Sequence, residues 1–247
     1  MIPRRERGNK PDAARLHVAA QEAHPMQANS RPVSSRQQQV HQDLPRLVRR
    51  HLESRWQRPP HSLTSEVRDS LANALAQDSP LVLDSFCGTG HSTRLLARDH
   101  PDCTVIGVDK SAARLSRHGE RDGDNYRLLR AQCEEVWAWL ADQGVQLQAH
   151  YLLYPNPWPK PAQLKRRVQG HPGFPLLLKL GGRLELRCNW RVYAEEFGVA
   201  LAIAGQRPAV AVVAVVDDGE PLSLFERKYR DSGHTLWRCT AQVTCHG

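Results

Sequence analysis

The chain has 247 residues, 40% of them apolar and 6% aromatic, which is enough to bury the core of one large domain. Its formal charge of +8 is unevenly placed: residues 1–60 carry 12 Arg and Lys against 5 Asp and Glu, and the remainder is nearly neutral. The longest apolar run, Ala209 to Val216, is far too short to cross a bilayer and no signal-peptide core is present, so neither a membrane nor an exported protein is expected.

Residues 1–42 are rich in Gln, Arg, Pro and Ser and show no hydrophobic period. Such a segment buries too little surface to offset its chain entropy, so a disordered basic tail is expected, serving either non-specific RNA contact through counterion release or no more than a solvated extension ahead of a start at Met26. Residues 43–60, from "DLPRLVRRHLESRW" to Pro59 and Pro60, are expected to form a linker with a short helix. The folded domain is placed at 61–247.

Within that domain, "SLTSEVRDSLANALAQ" has the pattern of a capped amphipathic helix, started by Thr64 or Ser65 and burying Val67, Leu71, Ala74 and Leu75. Strand and helix patterns then alternate. "LVLDSF", "CTVIGVD", "YRLLRA", "LQAHYLLY" and "GRLELRC" predict strands. "HSTRLLARD", "SAARLSRH", "CEEVWAWLADQ", "GFPLLLKL" and "RVYAEEFGVALAIAG" predict the helices between and after them. "AVAVVAVVDD" and "TLWRCTAQV" read as two final strands joined without a helix, as a hairpin-like edge. Continuous apolar strands alternating with helices argue for an α/β fold, a mainly parallel sheet covered on both faces.

The six cysteines, at 87, 103, 133, 188, 239 and 245, have no metal-ligand spacing, and several fall in apolar runs. They are expected to be reduced, in a cytoplasmic protein without a bound metal. None of the twelve histidines is assigned to catalysis.

The first strand ends in Asp84 and leads into the turn Gly88-Thr89-Gly90. Gly88 and Gly90 allow the backbone to bend sharply and lie close to a ligand. A third glycine or a Gly-Lys-Ser/Thr ending would indicate a phosphate loop, and neither is present. An acid before the glycines suits the cationic amino-acid end of a ligand such as S-adenosylmethionine. Asp109 ends the second strand, where a carboxylate accepts both ribose hydroxyls, and Gln132 after the third strand can reach an adenine edge. In open parallel sheets ligands lie across the carboxyl ends of the strands, and Asp84, Asp109, Gln132 and Asn156 all fall there.

Asn156 sits in the turn "YPNPWPK" after the fourth strand, with Trp158 and Lys160 close behind. The stretch from Gly144 to Leu184 contains no acid, while Lys160, Lys165, Arg166, Arg167, Lys179 and Arg183 supply positive charge. A one-signed patch touching a reaction centre suits a nucleic-acid substrate.

Three motifs in order, "YPNPWPKPAQLKRRVQ", "LKLGGRLELRCNWRVYAEEF" and "SLFERKYRDSGHTLW", resemble those of the bacterial tRNA (guanine-N7)-methyltransferases, and the resemblance spans most of Pro80 to Val243. It implies a Rossmann-like class I methyltransferase with a seven-stranded sheet whose last strand is antiparallel, S-adenosylmethionine as cofactor, and tRNA as substrate. On this resemblance Asn156 holds the catalytic position, and Asp84, Gly88, Gly90, Asp109 and Gln132 line the cofactor. Trp158, Lys160, Arg166, Arg167, Asn189, Trp190, Ser223 and Glu226 fall at substrate positions. Of these, Trp158 and Trp190 are either base-stacking platforms or packing residues, Arg166 and Arg167 phosphate contacts, and Glu226 either a base acceptor or a partner of Arg227.

The chain departs from the family pattern where Asn156 and Asn189 replace aspartates, Ser223 replaces a threonine and Phe86 replaces a glycine. Three readings stay open: an RNA N-methyltransferase acting most simply on tRNA guanine N7, methylation of another acceptor such as an exocyclic amine, or a catalytically silent RNA-binding protein. A monomer or homodimer is expected.

Overall fold

The computed structural model describes residues 30–57, 63–119, 124–205, 213–214 and 219–244. The strands are β1 (Leu81–Ser85), β2 (Thr104–Asp109), β3 (Tyr126–Arg130), β4 (Ala149–Leu153), β5 (Gly182–Cys188), β6 (Val213–Ala214) and β7 (Trp237–Val243). Among the described residues they form one seven-stranded sheet in the order β3-β2-β1-β4-β5-β7-β6. The first five strands pair in parallel, whereas β7 runs antiparallel to both β5 and β6. The expected architecture is therefore the observed one.

The helices are α1 (Leu44–Glu53), α2 (Ser65–Leu75), α3 (His91–Asp99), α4 (Ala112–Leu115), α5 (Cys133–Asp142), α6 (Phe174–Lys179), α7 (Arg191–Ile203) and α8 (Leu224–Asp231). Every residue of β1, β2 and β4 is buried, which is why these strands read as unbroken apolar runs. Their side chains alternate between two cores. Leu81, Leu83, Ile106, Val108 and Leu152 join Trp137, Phe174 and Phe197 on one face of the sheet. Val82, Val105, Tyr151 and Leu153 join Leu96 and Tyr126 on the other. Each such side chain contributes roughly 1.5–3 kcal/mol when fully buried. Helix α2 starts as its sequence predicts, with the Thr64 hydroxyl accepting from the Val67 amide (3.4 Å) and Val67, Leu71 and Ala74 facing inward.

Two expectations are corrected. The first concerns residues 30–60. Residues 30–42, expected within a disordered tail, are packed on the domain, with Val33 and Val40 against the main core and hydrogen bonds beside them. Gln37 is buried and donates to Glu196 (2.6 Å), the His41 amide donates to the same carboxylate (3.0 Å), and the Ser35 hydroxyl donates to the Pro159 carbonyl (2.5 Å). Helix α1, expected inside a linker, buries Leu44, Leu47 and Val48 against α6 and α7 and belongs to the main core. Residues 1–29 and the Pro59-Pro60 break lie outside the described residues.

The second correction concerns the final strands, which are not joined directly. Helix α8 lies between them, capped by the Ser223 hydroxyl, which accepts from the Glu226 amide (3.1 Å). Of the predicted strand 209–218, only Val213 and Ala214 are described, paired to Trp237 and Arg238 of β7.

Candidate active site

The carboxyl end of β1 leads into a turn in which Phe86, Gly88 and Gly90 all take positive φ (65°, 63° and 77°). At Gly90 a Cβ would lie 2.5 Å from a Leu128 methyl, which would have to shift, and the φ of 77° strains any other residue there. At Gly88 a Cβ would meet nothing within 4 Å, and the missing side chain leaves open space beside Asp109. Phe86 adopts a backbone that costs a non-glycine residue roughly 1–3 kcal/mol. Its amide donates to the Cys133 sulfur (3.3 Å), and its ring stands edge-on to Trp137 with centroids 6.0 Å apart. The ring thus leans on the core and forms one wall of a cavity instead of filling it.

Asp84 is placed differently from the expectation. It is completely buried, and its Oδ2 accepts from the hydroxyls of Ser92 (2.6 Å) and Thr93 (2.7 Å) at the start of α3. It fixes the helix to the strand and does not line the cavity, so direct capture of a ligand ammonium by Asp84 is withdrawn. Burial raises its carboxyl from 3.8 to about 6, partly offset by the two hydroxyls. The native state therefore holds this proton more firmly than the unfolded chain. The resulting stability is complete below about pH 4 and is lost as pH rises through 6. Urea unfolding of Asp84→Asn across this range checks it: the variant should gain on the wild type between pH 4 and 7, by up to about 3 kcal/mol. A pH-independent difference would contradict the assignment.

Asp109 ends β2 and is almost fully buried. Its Oδ2 accepts from the Gly88 amide (3.1 Å) and its Oδ1 from the Ser111 amide (2.8 Å), while the half-exposed Arg114 pairs with it at 3.3 Å. The carboxylate is thus aimed along the glycine turn with lone pairs to spare. Gln132 sits exposed at the N-cap of α5, at the carboxyl end of β3.

Beyond β4 the chain passes through Tyr154 (φ 55°), Pro155, Asn156, Pro157 and Trp158 (φ 45°). Pro157 disfavours helical backbone at Asn156, and the turn presents the Asn156 amide to solvent. The Arg166 guanidinium lies 4.8 Å from the centroid of the Trp158 ring.

Asp109, Gln132, Asn156, Trp158 and Arg166 converge on one cavity of about 630 Å³, within the usual range for small-molecule sites. Phe86, Arg114, Glu134, Tyr154, Phe225 and Tyr229 line it as well. Four of its walls are basic, from Lys110, Arg114, Lys165 and Arg166, against the two carboxylates of Asp109 and Glu134. Sequence reasoning missed Arg114, whose signal was a cation on the short helix after Asp109. It also missed Phe225 and Tyr229, whose helix it had not assigned.

Several residues expected at the substrate lie elsewhere. Arg167 has no exposed surface and makes a 2.6 Å ion pair with Glu196, so it cannot meet a phosphate. Its other donors reach Gln37 (2.9 Å) and the carbonyls of Trp158 (3.2 Å) and Lys160 (3.3 Å). Trp190 is buried beneath the Arg167 guanidinium (4.9 Å), which rules it out as a base platform. Asn189 contacts His234 (3.3 Å) away from the cavity. Ser223 is the α8 cap. Glu226 is fully buried and pairs with Arg187 (3.0 Å) and Arg230 (2.9 Å) rather than with Arg227. Lys160 stays exposed beside the turn but outside the cavity lining.

A parallel sheet in this order, with a glycine turn after β1, an acid after β2 and a proline-framed turn after β4 opening on one cavity, defines a class I methyltransferase fold. Solved structures agree on the fold. A 16S rRNA (adenine(1408)-N(1))-methyltransferase from Catenulisporales acidiphilia superposes with a TM-score of 0.53 at 19% identity, covering 75% of this chain and 97% of that one. The 16S rRNA methyltransferase KamB gives 0.52 at 17%, covering 75% and 96%. The Methyltransf_4 family of methyltransferases matches residues 78–239, and the chain belongs to it. Curated relatives include the tRNA (guanine-N(7)-)-methyltransferase of Thiobacillus denitrificans, 33% identical over 170 residues that cover 66% of this chain and 74% of the relative. The corresponding enzyme of Cupriavidus pinatubonensis is 26% identical over 242 residues, covering 90% and 88%. The chain is a methyltransferase of the tRNA (guanine-N7) family.

Proposed function

We propose that the protein transfers a methyl group from S-adenosylmethionine to tRNA, at N7 of a guanine, in the cytoplasm. The observation that carries this reading is the convergence of Asp109, Gln132, Asn156 and Trp158 on one basic cavity at the carboxyl ends of the strands. The chain's residues fit the nucleoside half of the cofactor. The open space at Gly88 lets a ribose approach the backbone, Asp109 can accept its two hydroxyls, and Gln132 flanks the position of the base. At the amino-acid half the fit runs through different atoms from those expected. Tyr154 lines the cavity with its hydroxyl toward Glu226, which is itself fully buried outside the cavity lining.

The bound cofactor supplies an electrophilic methyl on a sulfonium. Guanine N7 already carries a lone pair, so the chain's own residues need to align it more than to deprotonate it. Trp158 with Arg166 offers a flat cationic face for the base, and the Asn156 carbonyl accepts from its N–H edge. Lys165 and Arg166 meet the phosphates, which add affinity without sequence information.

Asn156 is neutral where the family resemblance implies a carboxylate, and a charged acceptor binds about 1 kcal/mol more strongly than a neutral one. Asn156→Asp is therefore expected to raise kcat/KM for guanine N7 transfer roughly five- to tenfold. A fall instead, with methyl label on an exocyclic amine, would move the reading to amino methylation. Label on no RNA from either protein would leave a silent RNA-binding protein.

A further inference from the structure

Four large apolar side chains are exposed among the described residues (Leu52, Val213, Leu224 and Phe225), and of these only Phe225 lines the cavity. A lone surface phenylalanine carries little information. This one is held in place by its neighbours on both sides. The Ser223 hydroxyl caps the helix at the Glu226 amide, and the fully buried Glu226 is pinned by Arg187 and Arg230. With residues 223 and 226 locked, the first turn of α8 cannot rotate to bury the Phe225 ring, which stays 44% exposed at the cavity.

The ring also continues a set of near-parallel aromatic planes. Phe225 and Tyr229, one turn apart, stack at 6.1 Å and 26°, and Tyr229 stacks on His234 at 5.2 Å and 13°. A flat heterocycle entering the cavity parallel to Phe225 would extend this set and cover the exposed ring. Bases bind such faces whatever their identity, because each has a π-face, and enzymes acting on a base remove it from its stack into a pocket of this kind.

We infer that Phe225 is a stacking face for the acceptor base. It works together with Trp158 and makes a contact with the substrate rather than with the cofactor. The inference rests on the reading of the protein as an RNA methyltransferase.

The test compares the full-length wild type with Phe225→Ala, Phe225→Leu and Phe225→Tyr. Methyl transfer to unmodified tRNA is measured in steady state, and S-adenosylmethionine affinity by calorimetry. Alanine and leucine are expected to lower kcat/KM for tRNA roughly 5- to 150-fold, the range of one lost base stack. Tyrosine should stay within about twofold of wild type, and cofactor Kd should change by less than about twofold in all three. Leucine keeps apolar bulk and tyrosine keeps the ring, so the contrast between them separates stacking from simple filling or folding. Leucine equal to wild type, tyrosine as impaired as alanine, or a cofactor Kd shifted as far as kcat/KM would each overturn the inference. A wild type that binds cofactor but methylates no RNA would instead remove the reading on which it rests, and the inference with it.

Discussion

Arg167→Ala is expected to destabilise the protein by about 3–5 kcal/mol, the cost of leaving one half of a buried ion pair uncompensated. Arg167 and Glu196 are both fully buried, 2.6 Å apart, and Glu196 also accepts from Gln37, His41 and Gln169. Removing the guanidinium strands a carboxylate in the core and takes away one of the bonds, to Gln37, that hold residues 30–42 on the domain. It also removes the donors to the Trp158 and Lys160 carbonyls, so the turn carrying Asn156 loses its tether. Thermal unfolding should show a midpoint lower by roughly 6–20 °C, since each kcal/mol moves a domain of this size by about 2–4 °C. Replacing both partners by neutral groups of similar shape, Arg167→Met with Glu196→Gln, should recover more than half of the loss. Arg166→Ala, by contrast, should leave stability within about 0.5 kcal/mol of wild type and weaken RNA binding. A drop of less than about 1 kcal/mol for Arg167→Ala would contradict the buried placement.

The second large effect is expected at Asp109. In the proposed function its carboxylate accepts the two ribose hydroxyls of the cofactor, and a charged hydrogen bond is worth about 1.5–3 kcal/mol. Asp109→Ala should weaken S-adenosylmethionine binding about a hundredfold or more, measured by calorimetry on the purified protein. Asp109→Asn should fare little better, because its NH2 would face the amide donors of Gly88 or Ser111. The same substitution frees Arg114, whose pairing at 3.3 Å is the other role of this carboxylate. A Kd within about threefold of wild type would show that the nucleoside lies elsewhere.

These two residues also mark what the sequence could and could not say. Asp109 was legible because it closes an unbroken apolar run, and the end of a buried parallel strand is where ligands lie. The strands were legible for the same reason, since β1, β2 and β4 are covered on both faces. Arg166 and Arg167, adjacent and identical in type, were not distinguishable. The chain leaves the short 3-10 helix Pro161–Arg166 in extended backbone at Arg167, sending one guanidinium over Trp158 and the other into the core. Residues 30–42 were misread because Val33, Val40 and hydrogen bonds to buried carboxylates and carbonyls hold them, and these leave no hydrophobic period. Helix α8 was missed because its buried anchor is Glu226, a charged residue that pairs with Arg187 on β5 and Arg230. Its aromatic residues face the cavity, so they too give no core stripe.

The account depends on the cavity between the glycine turn and the Asn156 turn being the place where methyl groups pass to RNA. The most direct measurement is incubation of the purified protein with methyl-labelled S-adenosylmethionine and unmodified tRNA, followed by borohydride and aniline cleavage at N7-methylguanine. The account predicts label in tRNA and chain scission at a single guanine, both lost in Asp109→Ala. Cofactor binding with no label in any RNA would contradict it.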